Sequence, residues 1–100
     1  MQRQYMVIIQ LPDEITEEFV RKIPEQRIYI NELVSDNVIL GYSVSADRST
    51  LWITFNANNK AGVREFINKF PLVSYFEGQQ IIELMFHQTA APIIPDLSLN

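Results

Sequence analysis

Residues 69–87, KFPLVSYFEGQQIIELMFH, are the most informative stretch of this chain. Pro71 predicts the end of a helix, because proline disfavours the helical conformation of the residue before it. A short aromatic connector follows. Residues 79–87 then have the length and the apolar content of a β-strand, which ends in the only histidine. The stretch therefore predicts a helix that leads into the last strand of a sheet.

The sequence before this stretch predicts three further strands. Residues 5–11 are an apolar, β-branched run closed by Pro12, which is typical of a strand. Residues 38–46 and 51–57 predict a hairpin with residues 47–49 near its turn. The helix before Pro71 is then expected to begin at a cap formed by Asn58 or Asn59.

The first helix is expected between the first strand and the hairpin. Asp13 or Thr16 can cap it. Pro24 falls inside the helical pattern, and an interior proline removes a hydrogen bond at a cost of about 3 kcal/mol. We therefore expect two joined pieces, 14–23 and 24–36, with a kink or break between them.

The predicted order is strand, helix, strand, strand, helix, strand. This order predicts an α+β protein: a ferredoxin-like βαββαβ sandwich with a four-stranded antiparallel sheet. A hundred residues suffice for one such domain, which we place at residues 1–87. Residues 88–100 contain two prolines and four large aliphatic residues, so they predict either a frayed terminus or an extended arm packed on a partner subunit.

Composition excludes several classes of function. The eight basic residues are scattered among twelve acidic ones, which disfavours nucleic acid as a partner. No run approaches the ~20 apolar residues of a membrane helix, so no membrane association is expected. There is no cysteine and one histidine, which argues against a metal site, and the three glycines are too far apart for a phosphate loop. We expect a cytoplasmic protein without a cofactor.

Alternation along the strands predicts the two faces of the sheet. Leu51, Ile53 and Phe55 share one face, and we assign the helix-covered side to them. For the last strand, we assign Ile82, Leu84 and Phe86 to the same side. The opposite face is then expected to hold Trp52, Ile81 and Met85, together with Tyr42 or Ile39. Because soluble monomers rarely expose such a patch, we predict a homodimer that pairs through its sheets.

The block from Lys69 to His87 resembles muconolactone delta-isomerase. The hairpin over residues 42–56 and the Leu11-Pro12 end of the first strand fit the same family. This family is part of the dimeric α+β barrel superfamily. The resemblance covers most of residues 5–87 and implies a ferredoxin-like protomer that dimerises through its sheets. It also implies a cofactor-free isomerase that moves a double bond within a small lactone or organic acid by proton transfer.

Two residues are candidates for such proton transfer. His87 has an ordinary pKa near neutrality, and Glu83 is expected among apolar neighbours, where desolvation would raise its pKa. The alternatives are a structural or exposed role for His87 and an inter-subunit hydrogen bond or ion pair for Glu83.

Five further residues are candidates for ligand binding. Arg27 follows Pro24, where a kinked helix can open a pocket, and its guanidinium can bind a carboxylate; its alternative is a solvated helix face. Asp47 and Arg48 lie in a loop that can bind a ligand or form a plain turn. Tyr42 and Trp52 can line an aromatic cavity or belong to the interface. Two functions remain open: a cofactor-free isomerase, and a non-catalytic dimeric domain that binds a small ligand or only assembles.

Overall fold

The predicted secondary-structure elements are present in the predicted order in a computed structural model, which describes residues 2–88. Apart from Gln88, the predicted tail lies outside the described residues. The elements are β1 (Arg3–Gln10), α1 (Glu17–Ser35), β2 (Ile39–Val44), β3 (Thr50–Ala57), α2 (Lys60–Asn68), a 3-10 turn (Val73–Tyr75) and β4 (Gly78–Leu84).

The four strands form one antiparallel sheet in the order β2-β3-β1-β4. β1 therefore lies inside the sheet, and Val7 pairs with Ile53 of β3 on one side and with Ile81 of β4 on the other. Tyr5, Val7 and Ile9 alternate toward the helices and are almost fully buried. The order and the antiparallel pairing confirm the α+β, ferredoxin-like architecture.

α1 is one continuous helix, so the predicted break at Pro24 is wrong. Thr16 caps it, accepting a hydrogen bond of 3.1 Å from the backbone N–H of Phe19. The helix continues through Pro24 because one buried stripe extends on both sides of the proline, from Phe19 to Leu33. Pro24 itself is exposed, so water can reach the carbonyl that proline leaves without a helical donor.

α2 covers the other half of the same sheet face. Asn59 caps it, accepting a hydrogen bond of 2.8 Å from the backbone N–H of Gly62. Beneath α2, the ring of Phe55 stacks against Phe66 and Phe70 at centroid distances of 6.1 and 6.5 Å. Tyr29 of α1 donates a hydrogen bond of 3.1 Å to the carbonyl of Phe66, and burial raises the pKa of its phenol. These contacts hold α1 and α2 together.

The predicted faces of β4 are reversed. Ile81 pairs with the buried Val7 and packs against the core, whereas Ile82 pairs with Met6 on the opposite face. β4 also ends at Leu84, so Met85, Phe86 and His87 lie beyond the strand. The sequence alone does not determine which alternate side chains of β4 face the helices, because residues 81–86 are apolar at both odd and even positions. Pairing with β1 decides which set is buried.

No helix among residues 2–88 covers the second face of the sheet. This face presents apolar residues from three strands, which we call the open face: Met6, Ile8, Trp52, Ile82 and Leu84. Trp52 and Ile82 are 37% and 39% exposed. Tyr42 and Ile39, which were alternatives for this face, instead pair with Ile53 and Phe55 and share their helix-covered side.

Candidate functional site

A cleft of about 430 Å³ lies on the helix-covered side of the sheet, between the first half of α1 and the β2–β3 hairpin. Ten apolar side chains line it, together with Tyr42, Gln26, Arg27 and Arg48. Its floor consists of the buried Leu51 and Ile30. The volume lies within the range of roughly 300–1,000 Å³ that is usual for small-molecule sites, and so does the combination of an apolar lining with a few polar groups.

The connector between α2 and β4 forms one wall of the cleft through Leu72 and Phe76. Gln26, a buried amide on the inner side of α1, accepts a hydrogen bond of 3.1 Å from the backbone N–H of Leu72. On the outer side of the connector, Tyr75 donates a hydrogen bond of 2.6 Å to Glu18, which raises the pKa of the phenol. α1 and the connector are therefore held together at two points, one inside and one outside the domain.

Apolar and aromatic side chains at the rim of the cleft are open to solvent on both of its sides. Ile15 and Val20 of the α1 side are 41% and 52% exposed, and Tyr42 and Val44 of β2 are 47% and 52% exposed. β2 is an edge strand of the sheet, and most of its residues are exposed. A molecule that entered the cleft would therefore cover apolar surface on both sides of the rim.

Arg27 is the cationic group that α1 contributes to the cleft. Two other basic residues of α1 pair with a glutamate one turn earlier, Arg21 with Glu17 at 3.3 Å and Lys22 with Glu18 at 4.0 Å. The residue one turn before Arg27 is Ile23, and the residue one turn after it is Asn31. Within residues 2–88, the guanidinium of Arg27 has neither a hydrogen bond nor an ion pair.

Arg48 is the cationic group that the hairpin contributes. Its backbone is in the left-handed region, with a φ of 65°, and its N–H donates to the carbonyl of Ser45 at 2.9 Å. This conformation is unfavourable for a residue with a Cβ and costs about 1–2 kcal/mol relative to glycine. Its guanidinium, like that of Arg27, contacts no acidic or hydrogen-bonding partner in the described part of the chain.

Asp47 holds the turn that carries Arg48. Its carboxylate accepts hydrogen bonds from the hydroxyl of Ser45 at 2.6 Å, and from the N–H and hydroxyl of Ser49 at 3.0 and 2.7 Å. These hydrogen bonds, with that of Ser45 first, lower the pKa of Asp47 from its ordinary 3.8 to about 2. Asp47 does not line the cleft, so its role in the geometry is to fix the hairpin turn.

Neither of the two proton-transfer candidates lies at the cleft, and Glu83 is at the other end of the sheet. Glu83 pairs with Tyr5 near the start of β1, and its carboxylate is 3.7 Å from the guanidinium of Arg3. Leu11, at the cleft, follows Tyr5 by six residues, which corresponds to roughly 20 Å along a strand. His87 lies three residues beyond the end of β4. Neither side chain lines the cleft.

The structure thus brings together three of the seven predicted site residues, Arg27, Tyr42 and Arg48. Trp52 lies on the open face. Sequence reasoning missed Gln26, although a polar residue on an otherwise apolar helical stripe is a signal of a special position. It also missed the rim residue Val44 and the wall residue Phe76, for which no local signal exists, because only the tertiary packing leaves them uncovered.

Comparison with known proteins shows the fold and no more. No protein-family model and no curated protein matches the sequence. The crystal structure of MtbAldR is similar, with a TM-score of 0.56 and 12% sequence identity, over 92% of this chain. The match covers 59% of that protein, so this chain spans about three fifths of its length. The likeness supports the α+β fold, and nothing in it points to muconolactone isomerase.

Two classes of feature are absent from residues 2–88. No helix in this range is long and apolar enough to cross a membrane. No three of its histidine, aspartate and glutamate side chains lie close enough together to hold a metal ion.

Proposed function

We propose that this chain is a small-ligand-binding domain whose ligand occupies the cleft between α1 and the β2–β3 hairpin. The observation that carries the proposal is the cleft itself, which has about 430 Å³ of volume and a mainly apolar lining. The few polar groups of the lining, which include Gln26, Arg27 and Arg48, are suited to orienting a ligand rather than to breaking bonds.

The cofactor-free isomerase that the resemblance implies is less well supported. Proton transfer needs an acid or base within hydrogen-bonding reach of the ligand. The described residues that line the cleft include no carboxylate and no imidazole, so neither Glu83 nor His87 is among them. A catalytic role for these two residues stays a prediction. It requires that the purified protein isomerise a lactone without added metal and that Glu83→Gln or His87→Gln lose this turnover.

We also propose that two chains pair through the open face, as the sequence predicts, and that the protein works in the cytoplasm. Trp52, Ile82 and their apolar neighbours form a patch for which residues 2–88 provide no covering helix. Trp52→Arg should then shift the sedimentation coefficient from that of a dimer to that of a monomer. Val34→Arg, an exposed site on α1, is the matched control. A monomeric unaltered protein at micromolar concentration would contradict this part of the proposal.

Ligand binding can be tested by NMR with 2-naphthylacetate and its neutral amide, 2-naphthylacetamide, as probes. We expect the backbone signals of Val20, Val44 and Leu72 to shift on addition of either probe, and the signal of Ile82 to stay in place. Val44→Trp should weaken binding, because an indole at this rim position would take up part of the cleft. Val34→Trp adds the same side chain on α1 outside the cleft and should bind normally.

The proposal fails under either of two outcomes. One is that neither probe shifts the cleft signals at millimolar concentration. The other is that Val44→Trp binds both probes as well as the Val34→Trp control does.

A further inference from the structure

We infer that the ligand of the cleft is a monoanionic organic acid: an apolar or aromatic body that bears one carboxylate, which Arg27 and Arg48 bind at the rim. This inference rests on the proposed function and names the class of ligand for the same cleft. The first observation that supports it is the charge of the side chains that line the cleft. Two guanidinium groups line a cleft that is otherwise almost entirely apolar, and no acidic side chain lines it among the described residues.

The second support is that these two arginines have no partner among residues 2–88. The basic residues Arg3, Arg21 and Lys22 all form ion pairs with glutamates. Lys60, Arg64 and Lys69 also lack ion-pair partners within this range, but none of them lines the cleft. The two unpaired cations at the cleft can therefore bind an added anion without breaking an existing contact.

The third support is the backbone of Arg48. A turn residue with a φ of 65° would ordinarily be glycine or asparagine. Arginine here carries a conformational cost, and a residue held in an unfavourable conformation beside a cleft is a sign of function. The Asp47 carboxylate, with its three hydrogen bonds to Ser45 and Ser49, fixes this conformation.

The surroundings favour a carboxylate over a phosphate. Arginine matches the planar carboxylate with two parallel hydrogen bonds. A phosphate dianion would gain from further donors such as a free helix N-terminus, but the first turn of α1 carries Glu17 and Glu18, and Thr16 already caps it. The apolar lining meanwhile requires a ligand whose remaining surface is hydrocarbon.

The test compares three probes of one shape: 2-naphthylacetate, 2-naphthylacetamide and the cation 2-(2-naphthyl)ethylammonium. Titration calorimetry at low ionic strength should give the order acid, then amide, then amine, with the acid at least about tenfold tighter than the amide. Added salt should weaken binding of the acid and leave that of the amide nearly unchanged.

Two variants test whether Arg27 and Arg48 bind the carboxylate of the ligand. Arg27→Gln and Arg48→Gln should each lower the acid–amide preference by several fold, because each removes one of the two cations that bind the carboxylate. Arg64→Gln removes the same charge from α2 and is the matched control; it should retain the full preference.

The possible failures are distinguishable. Binding of acid and amide with equal affinity, or a preference that survives both arginine substitutions, overturns the inference and leaves the proposed function standing. Failure of all three probes to bind contradicts the proposed function itself.

Discussion

α1 and α2 cover the same face of one sheet, yet they leave its two halves in different states. Under α2 the rings of Phe55, Phe66 and Phe70 stack and fill the space between helix and sheet. Under the first half of α1 the side chains are mostly aliphatic, and about 430 Å³ is left unfilled. We therefore expect the half in which aromatic rings stack to contribute more to stability, and the half with the unfilled space to provide room for a ligand.

The largest effect expected from this comparison concerns two phenylalanines. Phe70 is 1% exposed and contacts the rings of Phe55, Tyr29 and Phe76, so Phe70→Ala should lower the free energy of unfolding by about 3–5 kcal/mol. Phe19→Ala should cost less than about 3 kcal/mol, because one side of this ring already faces the cleft. Urea denaturation measures both. Equal losses would show that the two halves are packed alike.

A smaller effect is expected where α1 and the connector meet. Gln26→Leu keeps the side-chain volume but leaves the buried N–H of Leu72 without its acceptor, at a cost of about 1–3 kcal/mol. Hydrogen exchange at the Leu72 amide should also become faster. Asn31→Leu, on the exposed side of α1, should change neither quantity. Unchanged exchange at Leu72 in Gln26→Leu would mean that the hydrogen bond does not hold the wall of the cleft.

Arg48 allows stability and binding to be separated at one position. Arg48→Gly removes the left-handed penalty but adds glycine entropy, so we expect a net gain of up to about 1 kcal/mol in unfolding free energy. Arg48→Ala also removes the guanidinium but keeps the unfavourable φ, and it should show no such gain. Thermal denaturation compares the two variants. Equal stability of Arg48→Gly and Arg48→Ala would show that the backbone is not strained there.

The smallest expected effect is on the stability of the protein at acidic pH. The pKa of Asp47 lies below its ordinary value in the folded protein, so its carboxylate contributes stability at pH values above about 4, and this contribution is lost as the pH falls toward 2. Asp47→Asn should flatten that part of the pH dependence of urea denaturation. A variant that loses stability between pH 4 and pH 2 as steeply as the unaltered protein would contradict the role of the carboxylate in the turn.

The sequence predicts the order of the elements well because their local signals agree. Thr16 and Asn59 were among the predicted caps, and both cap their helices. The predicted helix break at Pro24 is wrong, because the burial of one helix face on both sides of the proline outweighs the local cost of the lost hydrogen bond. The prediction of which face of β4 is buried is wrong for another reason. Ile81 and Ile82 are equally apolar, and only pairing with β1 distinguishes them.

The cleft was partly predictable. Arg27 and Tyr42 were each candidates for ligand binding, but nothing local shows that residues from α1, β2 and the connector line one cavity. Arg48 was also a candidate for ligand binding, but its left-handed backbone was not predicted, since it depends on the hydrogen bonds around Asp47. Sequence patterns therefore identify individual candidate residues. The unfilled space between them depends on the distance between the packed helix and the sheet, which no sequence pattern gives.

The central position of β1 has a consequence for folding kinetics. Both of its neighbours come much later in the chain, so the first strand to be synthesised cannot be paired until residues 50–57 and 78–84 exist. Such long-range pairing slows folding relative to a helical protein of this size. The residues that line the cleft extend from Leu11 to Phe76, so we expect it to form late, when elements that are distant in the chain have packed together. A bound ligand should therefore slow unfolding while leaving the folding rate unchanged.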